Sequence, residues 1–90
     1  MRKYMIEREL PGVGNLSPAE FRQVARKSMN VLRALGADIQ WIHSYVTDDK
    51  LYCMYLAEDA DLIREHARLG GFPCNYVTAI DHVIDPVSAE

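Results

Sequence analysis

The chain has 90 residues, of which 49% are hydrophobic and 26% are charged, and its formal net charge at pH 7 is -3. This length and composition predict one globular domain over residues 1–90. The negative charge argues against a nucleic-acid partner, which needs a basic face. No apolar run is long enough for a membrane span, and no secretory signal is present. With only two cysteines, we expect a cytoplasmic protein with reduced thiols.

The amino-terminal third of the chain predicts a strand followed by a helix. Residues 3–10 alternate, and Tyr4 and Ile6 fall on the face that we expect to be buried. A stretch rich in proline and glycine then ends the strand. The helix begins at residues 17–20, Ser-Pro-Ala-Glu, which form a capping box with proline at the first helical position. Its expected end is Gly36.

Four further elements are predicted from the remaining pattern: strands at 39–47 and 51–57, a helix at 60–69, and a strand at 76–84. The resulting order, β-α-β-β-α-β, is that of a ferredoxin-like α+β sandwich. Two helices of this length cover one face of a four-stranded antiparallel sheet. The other face must be solvated or buried against a second subunit, so we expect a homodimer.

The turn of the central hairpin decides which hairpin side chains share a face, because a shift of one residue exchanges the two faces. A two-residue turn places His43 beside Met54, whereas a three-residue turn places it beside Tyr55. We prefer the three-residue turn, because it gathers five apolar or aromatic residues of the hairpin under the helices: Ile42, Val46, Tyr52, Met54 and Leu56. The sheet face away from the helices, here called the open face, then carries five predicted ligand-binding residues: Trp41, His43, Tyr45, Cys53 and Tyr55.

Three interpretations of the open face remain, and Glu7 of the first strand would join the face in each of them. Aromatic walls with few polar groups suit a small organic molecule. Imidazole, carboxylate and thiolate groups are ligands for nickel, zinc or copper. Aromatic residues are also enriched at dimer interfaces. Cys53 beside His43 or Tyr45 would be a conceivable nucleophile, although no neighbouring residue is expected to activate its thiol.

A second histidine, His66, lies on the apolar stripe of the second helix, where it is either a hydrogen-bonded core residue or a metal ligand. Glu65 points elsewhere, because adjacent helical residues do not face each other. We take Glu7, His43 and His66 as the predicted metal ligands. The sequence contains no nucleophile elbow, phosphate-binding loop or dinucleotide fingerprint. No catalytic residue or organic cofactor is therefore assigned, and a binding protein is expected rather than an enzyme.

Several motifs in order along the chain resemble a family of small bacterial ferredoxin-like domains, once of unknown function, whose best-described member is a nickel-binding, nickel-responsive protein. The motifs are Glu7-Arg8, residues 43–50 (HSYVTDDK), 52–55 (YCMY), 63–67 (IREHA), 71–73 (GFP) and 83–86 (VIDP). The resemblance implies a ferredoxin-like homodimer that binds nickel, for sequestration or detoxification. The alternative is a binder of a small organic molecule, held on the open face at His43 and Tyr45.

Overall fold

The secondary structure follows the predicted order in a computed structural model that describes all 90 residues. Its elements are β1 (Arg2–Glu9), α1 (Pro18–Leu35), β2 (Ile39–Val46), β3 (Lys50–Ala57), α2 (Ala60–Gly70) and β4 (Tyr76–Ile80), with 3-10 turns at Val13–Asn15 and Pro86–Ala89. The strands form one antiparallel sheet in the order β2-β3-β1-β4. The predicted ferredoxin-like α+β fold is confirmed.

The helix boundaries arise from local hydrogen bonds. Ser17 Oγ accepts a bond of 3.1 Å from the backbone N–H of Glu20, and Glu20 Oε1 accepts one of 3.0 Å from the backbone N–H of Ser17. The predicted capping box is therefore confirmed. Gly36, with φ of 89°, ends α1, and Asp59 caps α2 by accepting from the N–H of Leu62. Neither helix is long and apolar enough to cross a membrane.

The core lies between the sheet and the two helices. Tyr4 and Ile6 are buried in it, as the alternation of the first strand predicts. The other buried members of the core cluster are Leu32, Ile39, Cys53, Tyr55, Ala57 and Ile63. Burial of this apolar surface is the main term that stabilises so small a domain.

The central hairpin has the register that we did not prefer. Its turn consists of Asp48 and Asp49, and the N–H of Thr47 donates to the carbonyl of Lys50 at 2.9 Å. Tyr45 and Val46 accordingly pair with Tyr52 and Leu51. The expectation of a three-residue turn is wrong. Because a one-residue shift exchanges the faces, Cys53 and Tyr55 face the helices instead of the open face.

A β-bulge at Ile42 changes the facing of strand β2. Trp41 pairs with Tyr55, but His43 pairs with Met54, so β2 contains one residue more than β3 between these pairs. A bulge of this kind reverses the alternation of the strand on either side of it. Trp41 therefore lies on the helix side of the sheet and His43 on the open face, although they are only two residues apart.

Strand β4 is shorter than predicted and ends at Ile80 rather than Ile84. Its one partner is β1, and Ile80 pairs with Lys3, close to the first residue of β1. Residues 82–84 extend past the first residue of β1 and have no strand opposite them. A strand cannot continue without a partner for its backbone groups, whatever the β-propensity of its side chains.

Candidate functional site

The open face displays a hydrogen-bonded pair of titratable side chains, His43 and Tyr45. His43 Nε2 lies 3.1 Å from the hydroxyl of Tyr45, and the two rings meet edge to face with centroids 4.9 Å apart. Tyr45 is 60% exposed. Met54 and Tyr52 on β3 lie beside them. The imidazole of His43 and the phenol of Tyr45 are therefore exposed on this face, where they can reach a ligand.

Glu7 also lies on the open face, but its carboxylate is bound by Lys50, and one strand separates it from His43. Its carboxylate accepts from Lys50 Nζ at 2.8 Å, and this hydrogen bond with its ionic attraction raises the pKa of Lys50. Strand β3 separates β1, which carries Glu7, from β2, which carries His43. Two strand spacings of about 4.8 Å place the backbones roughly 10 Å apart.

His66, the third predicted metal ligand, lies on the other side of the sheet. Its side chain is in the core at 1% exposure, and its Nε2 shares a hydrogen bond of 3.0 Å with Ser28 Oγ. Burial, and then the positive charge of Arg8, lower the pKa of His66 to about 4. Glu7, His43 and His66 do not converge, and no three His, Cys, Asp or Glu side chains of the chain do so. The predicted donors do not fit one metal ion within a single chain.

Between α1 and the sheet lies a pocket of about 300 Å³, here called the helix-side pocket. Trp41, Cys53 and Tyr55 line it, so these three predicted ligand residues do lie together, but away from His43. The expectation that they share the open face is wrong, and the pairing of Cys53 with His43 fails with it. An organic ligand on the open face would lack two of its expected aromatic walls. Binding of a ligand by the three residues stays a prediction.

Two polar side chains outside the predicted set of site residues form the buried end of this pocket. They are Arg8 and Ser28, which join His66 and Tyr55 there. Arg8 is 3% exposed. One guanidinium nitrogen, Nη1, donates to the carbonyl of Pro73, whereas Nη2 has no partner. Burial raises the pKa of Tyr55, against the opposing effects of the Ser28 hydroxyl and the Arg8 charge.

Both omitted residues could have been found from periodicity. Arg8 has the same parity in β1 as Tyr4 and Ile6, so the alternation that buries those two also buries the arginine. Ser28 lies on the apolar stripe of α1, as His66 does on that of α2. Two polar residues on facing apolar stripes are an indication of a buried hydrogen bond between helices.

An antiparallel sheet in the order β2-β3-β1-β4, covered on one face by two helices, defines this chain as a ferredoxin-like α+β domain. The sequence model of a family described as nickel responsive protein, SCO4226-like, matches residues 4–80. The chain belongs to this family. The match covers every strand and helix except the first residues of β1 and the carboxyl-terminal turn.

A similar fold is found in a solved structure, the crystal structure of SCO4226 from Streptomyces coelicolor A3(2). The similarity has a TM-score of 0.76 at 9% sequence identity and covers 91% of this chain and 99% of that one. At so low an identity the similarity establishes the fold alone. No curated protein matches the sequence.

Proposed function

We propose that the chain binds nickel through His43 on the open face, and that two copies of the chain complete the site. One observation carries this proposal: in a member of a nickel-responsive family, His43 is the histidine that lies on a strand and is exposed. His66 lies in the core, on the other side of the sheet from His43. Imidazole is a good ligand for nickel.

Two copies are needed because a single chain offers too few donors near His43. The Tyr45 hydroxyl is its near neighbour, and Glu7 is engaged by Lys50. His82 is exposed, but it follows β4, which forms the opposite edge of the sheet from β2. A two-fold axis through the open face would present the same patch twice. The partner subunit would then supply the second imidazole.

The composition of the open face supports such a homodimer. Met5 and Met54 pair across β1 and β3, and Tyr52 and Leu56 extend the apolar surface along β3. Aromatic residues and methionine are enriched in protein interfaces. The helices lie on the other face, and these four side chains remain partly exposed in the monomer. We propose that the dimer holds nickel for sequestration or detoxification, in the cytoplasm, and performs no catalysis.

Nickel binding is tested by calorimetric titration of metal-free, tag-free protein with NiCl₂. We expect saturable heat at neutral pH, and a loss of this heat in the His43→Ala variant. His82→Ala is the matched control, since it removes an exposed imidazole from the other edge of the sheet, and it should bind as the wild type does. Protons compete with the metal for imidazole, so binding should weaken in acid.

Three results would contradict the proposal. The first is the absence of heat and of thermal stabilisation by nickel in the wild type. The second is unchanged binding by His43→Ala. The third is saturation at one ion per monomer in a protein that stays monomeric when loaded, because the site would then not need two copies.

A further inference from the structure

The helix-side pocket has the shape and lining of a ligand site. Its volume of about 300 Å³ is at the lower end of the roughly 300–1,000 Å³ that is typical of such sites. Nine of its 13 lining residues are hydrophobic, so most of a ligand's surface would meet apolar walls. Val24 and Val46 belong to the lining and are exposed. They therefore form the mouth, between α1 and the edge strand β2.

Arg8 brings an unbalanced charge to the buried end of this pocket. No carboxylate lies within salt-bridge distance of its guanidinium. Its Nη2 is closed off from solvent and has no hydrogen-bond acceptor. The ring of Phe72, 5.7 Å from the guanidinium carbon, offers a weak cation–π contact. A buried charge is costly unless a counter-ion and hydrogen bonds compensate it, and the chain itself supplies no counter-ion.

His66 contributes a second unpaired atom beside this charge. Its Nε2 is engaged with Ser28 Oγ at 3.0 Å, but its Nδ1 is buried without a partner. Burial and the charge of Arg8 lower its pKa to about 4, so the ring is neutral at neutral pH. When the Ser28 hydroxyl donates to Nε2, the neutral ring carries its proton on Nδ1. The pocket then ends in one fixed positive charge and one neutral N–H donor.

We propose that the helix-side pocket binds a small organic carboxylate. Its apolar part would lie against Trp41, Val24 and Val46, and its carboxylate would pair with Arg8 and accept from His66. One guanidinium balances one negative charge, which favours a monoanion over a phosphate ester. An inorganic anion would leave the apolar walls unused. This site is separate from the proposed nickel site, because it lies on the other side of the sheet.

The test uses metal-free wild-type protein in EDTA and the fluorescence of Trp41, the single tryptophan, which lines the pocket. The probes are phenylacetate, its uncharged analogue phenylacetamide, hexanoate and inorganic phosphate. We expect saturable changes with the two organic carboxylates. Phenylacetate should bind about tenfold or more tightly than phenylacetamide, because a charge-assisted hydrogen bond is roughly twice as strong as a neutral one.

Arg8→Met tests the counter-ion, since methionine fills similar space without charge. The variant should lose the preference for phenylacetate over phenylacetamide. Arg22→Met, an exposed arginine of α1 outside the pocket, is the matched control and should keep it. If circular dichroism shows that Arg8→Met does not fold, the comparison of phenylacetate with phenylacetamide in the wild type tests the proposal alone.

The proposal is overturned by any of three results. These are equal affinities for phenylacetate and phenylacetamide, a Trp41 signal that no probe moves, and phosphate binding as tight as that of phenylacetate. If the folded Arg8→Met variant still prefers phenylacetate to phenylacetamide, Arg8 is not the counter-ion, and this result too overturns the proposal.

Discussion

His66 occupies surroundings that favour its neutral form. Arg8, Ser28 and Tyr55 are the charged or polar groups that face it from β1, α1 and β3, and the ring of Phe72 stacks on it with centroids 5.3 Å apart. None of these groups is an anion that would stabilise the imidazolium. Its pKa of about 4 follows from this environment, since burial disfavours the charged form.

This lowered pKa predicts a loss of stability in mild acid. In the unfolded chain the imidazole takes up a proton near pH 6.5, whereas in the folded protein it stays neutral to about pH 4. Between these values the unfolded state binds more protons, so the free energy of unfolding falls as the pH falls. The loss amounts to at most about 3 kcal/mol across this window. Urea unfolding at pH 7 and pH 4.5 measures it.

The matched variants for this measurement are His66→Gln and His82→Gln. Glutamine at position 66 can still bond Ser28 but does not titrate, so the fall in stability between the two pH values should be smaller than in the wild type. His82 is exposed, and its replacement should leave the fall unchanged. An equal fall in wild type and His66→Gln would show that other groups are responsible.

At the level of elements, the end of α2 shapes the wall of the pocket. Gly70 lies in the last helical turn, and a Cβ placed on it would occupy the position of the Phe72 ring. Phe72 in turn stacks on His66 and approaches Arg8. The missing side chain at Gly70 thus lets the aromatic ring fold back over the helix end and close one side of the helix-side pocket.

Gly70→Ala is expected to lower the free energy of unfolding by about 1–3 kcal/mol, because the added methyl group displaces a packed ring. In a helix free of such a clash, alanine would stabilise by up to about 1 kcal/mol relative to glycine. The same change in a Phe72→Ala background should therefore be neutral or stabilising. Urea unfolding of the four proteins of this cycle gives the coupling energy. A coupling near zero would contradict the proposed contact.

Elements specified by neighbouring residues could be predicted from the sequence, and those specified by distant pairing could not. The capping box at Ser17 and Glu20 is a contact over three residues, and it was predicted correctly. The bulge at Ile42 and the end of β4 at Ile80 depend on partner strands. Alternation within β2 alone carries no indication that one residue is unpaired.

The candidate sites illustrate the same limit. His43 and Tyr45 could be placed on the open face from the sequence, whereas Trp41, Cys53 and Tyr55 could not be placed on the helix side without the true register. The sequence shows that Arg8 falls on the same face of β1 as Tyr4. Burying an arginine, however, contradicts the usual preference of that residue for solvent. Its burial depends on the tertiary structure that surrounds it.

For the whole molecule, the open face is the surface on which association is expected. Met5 lies on the central strand β1, pairs with Met54 and is half-buried. The wild type should sediment as a dimer, and Met5→Glu should sediment as a folded monomer, because an unpaired carboxylate at the centre of an apolar interface is costly. Leu69→Glu is the matched control. Leu69 is 46% exposed on α2, so its replacement should leave the dimer intact.

Sedimentation velocity and circular dichroism together decide this prediction. A wild type that sediments as a monomer at micromolar concentration would contradict it, as would a dimeric Met5→Glu variant. Loss of structure in Met5→Glu would require the milder, uncharged Met5→Gln change to separate folding from association.

The bulge at Ile42 has a further consequence for the outer border of the sheet. Strand β2 is an edge strand, and a regular edge presents an unbroken row of backbone N–H and C=O groups to any other extended chain. The extra residue interrupts that row and increases the local twist. A foreign strand then cannot form an unbroken ladder along the whole of β2, which protects this edge of the sheet against growth into fibrils.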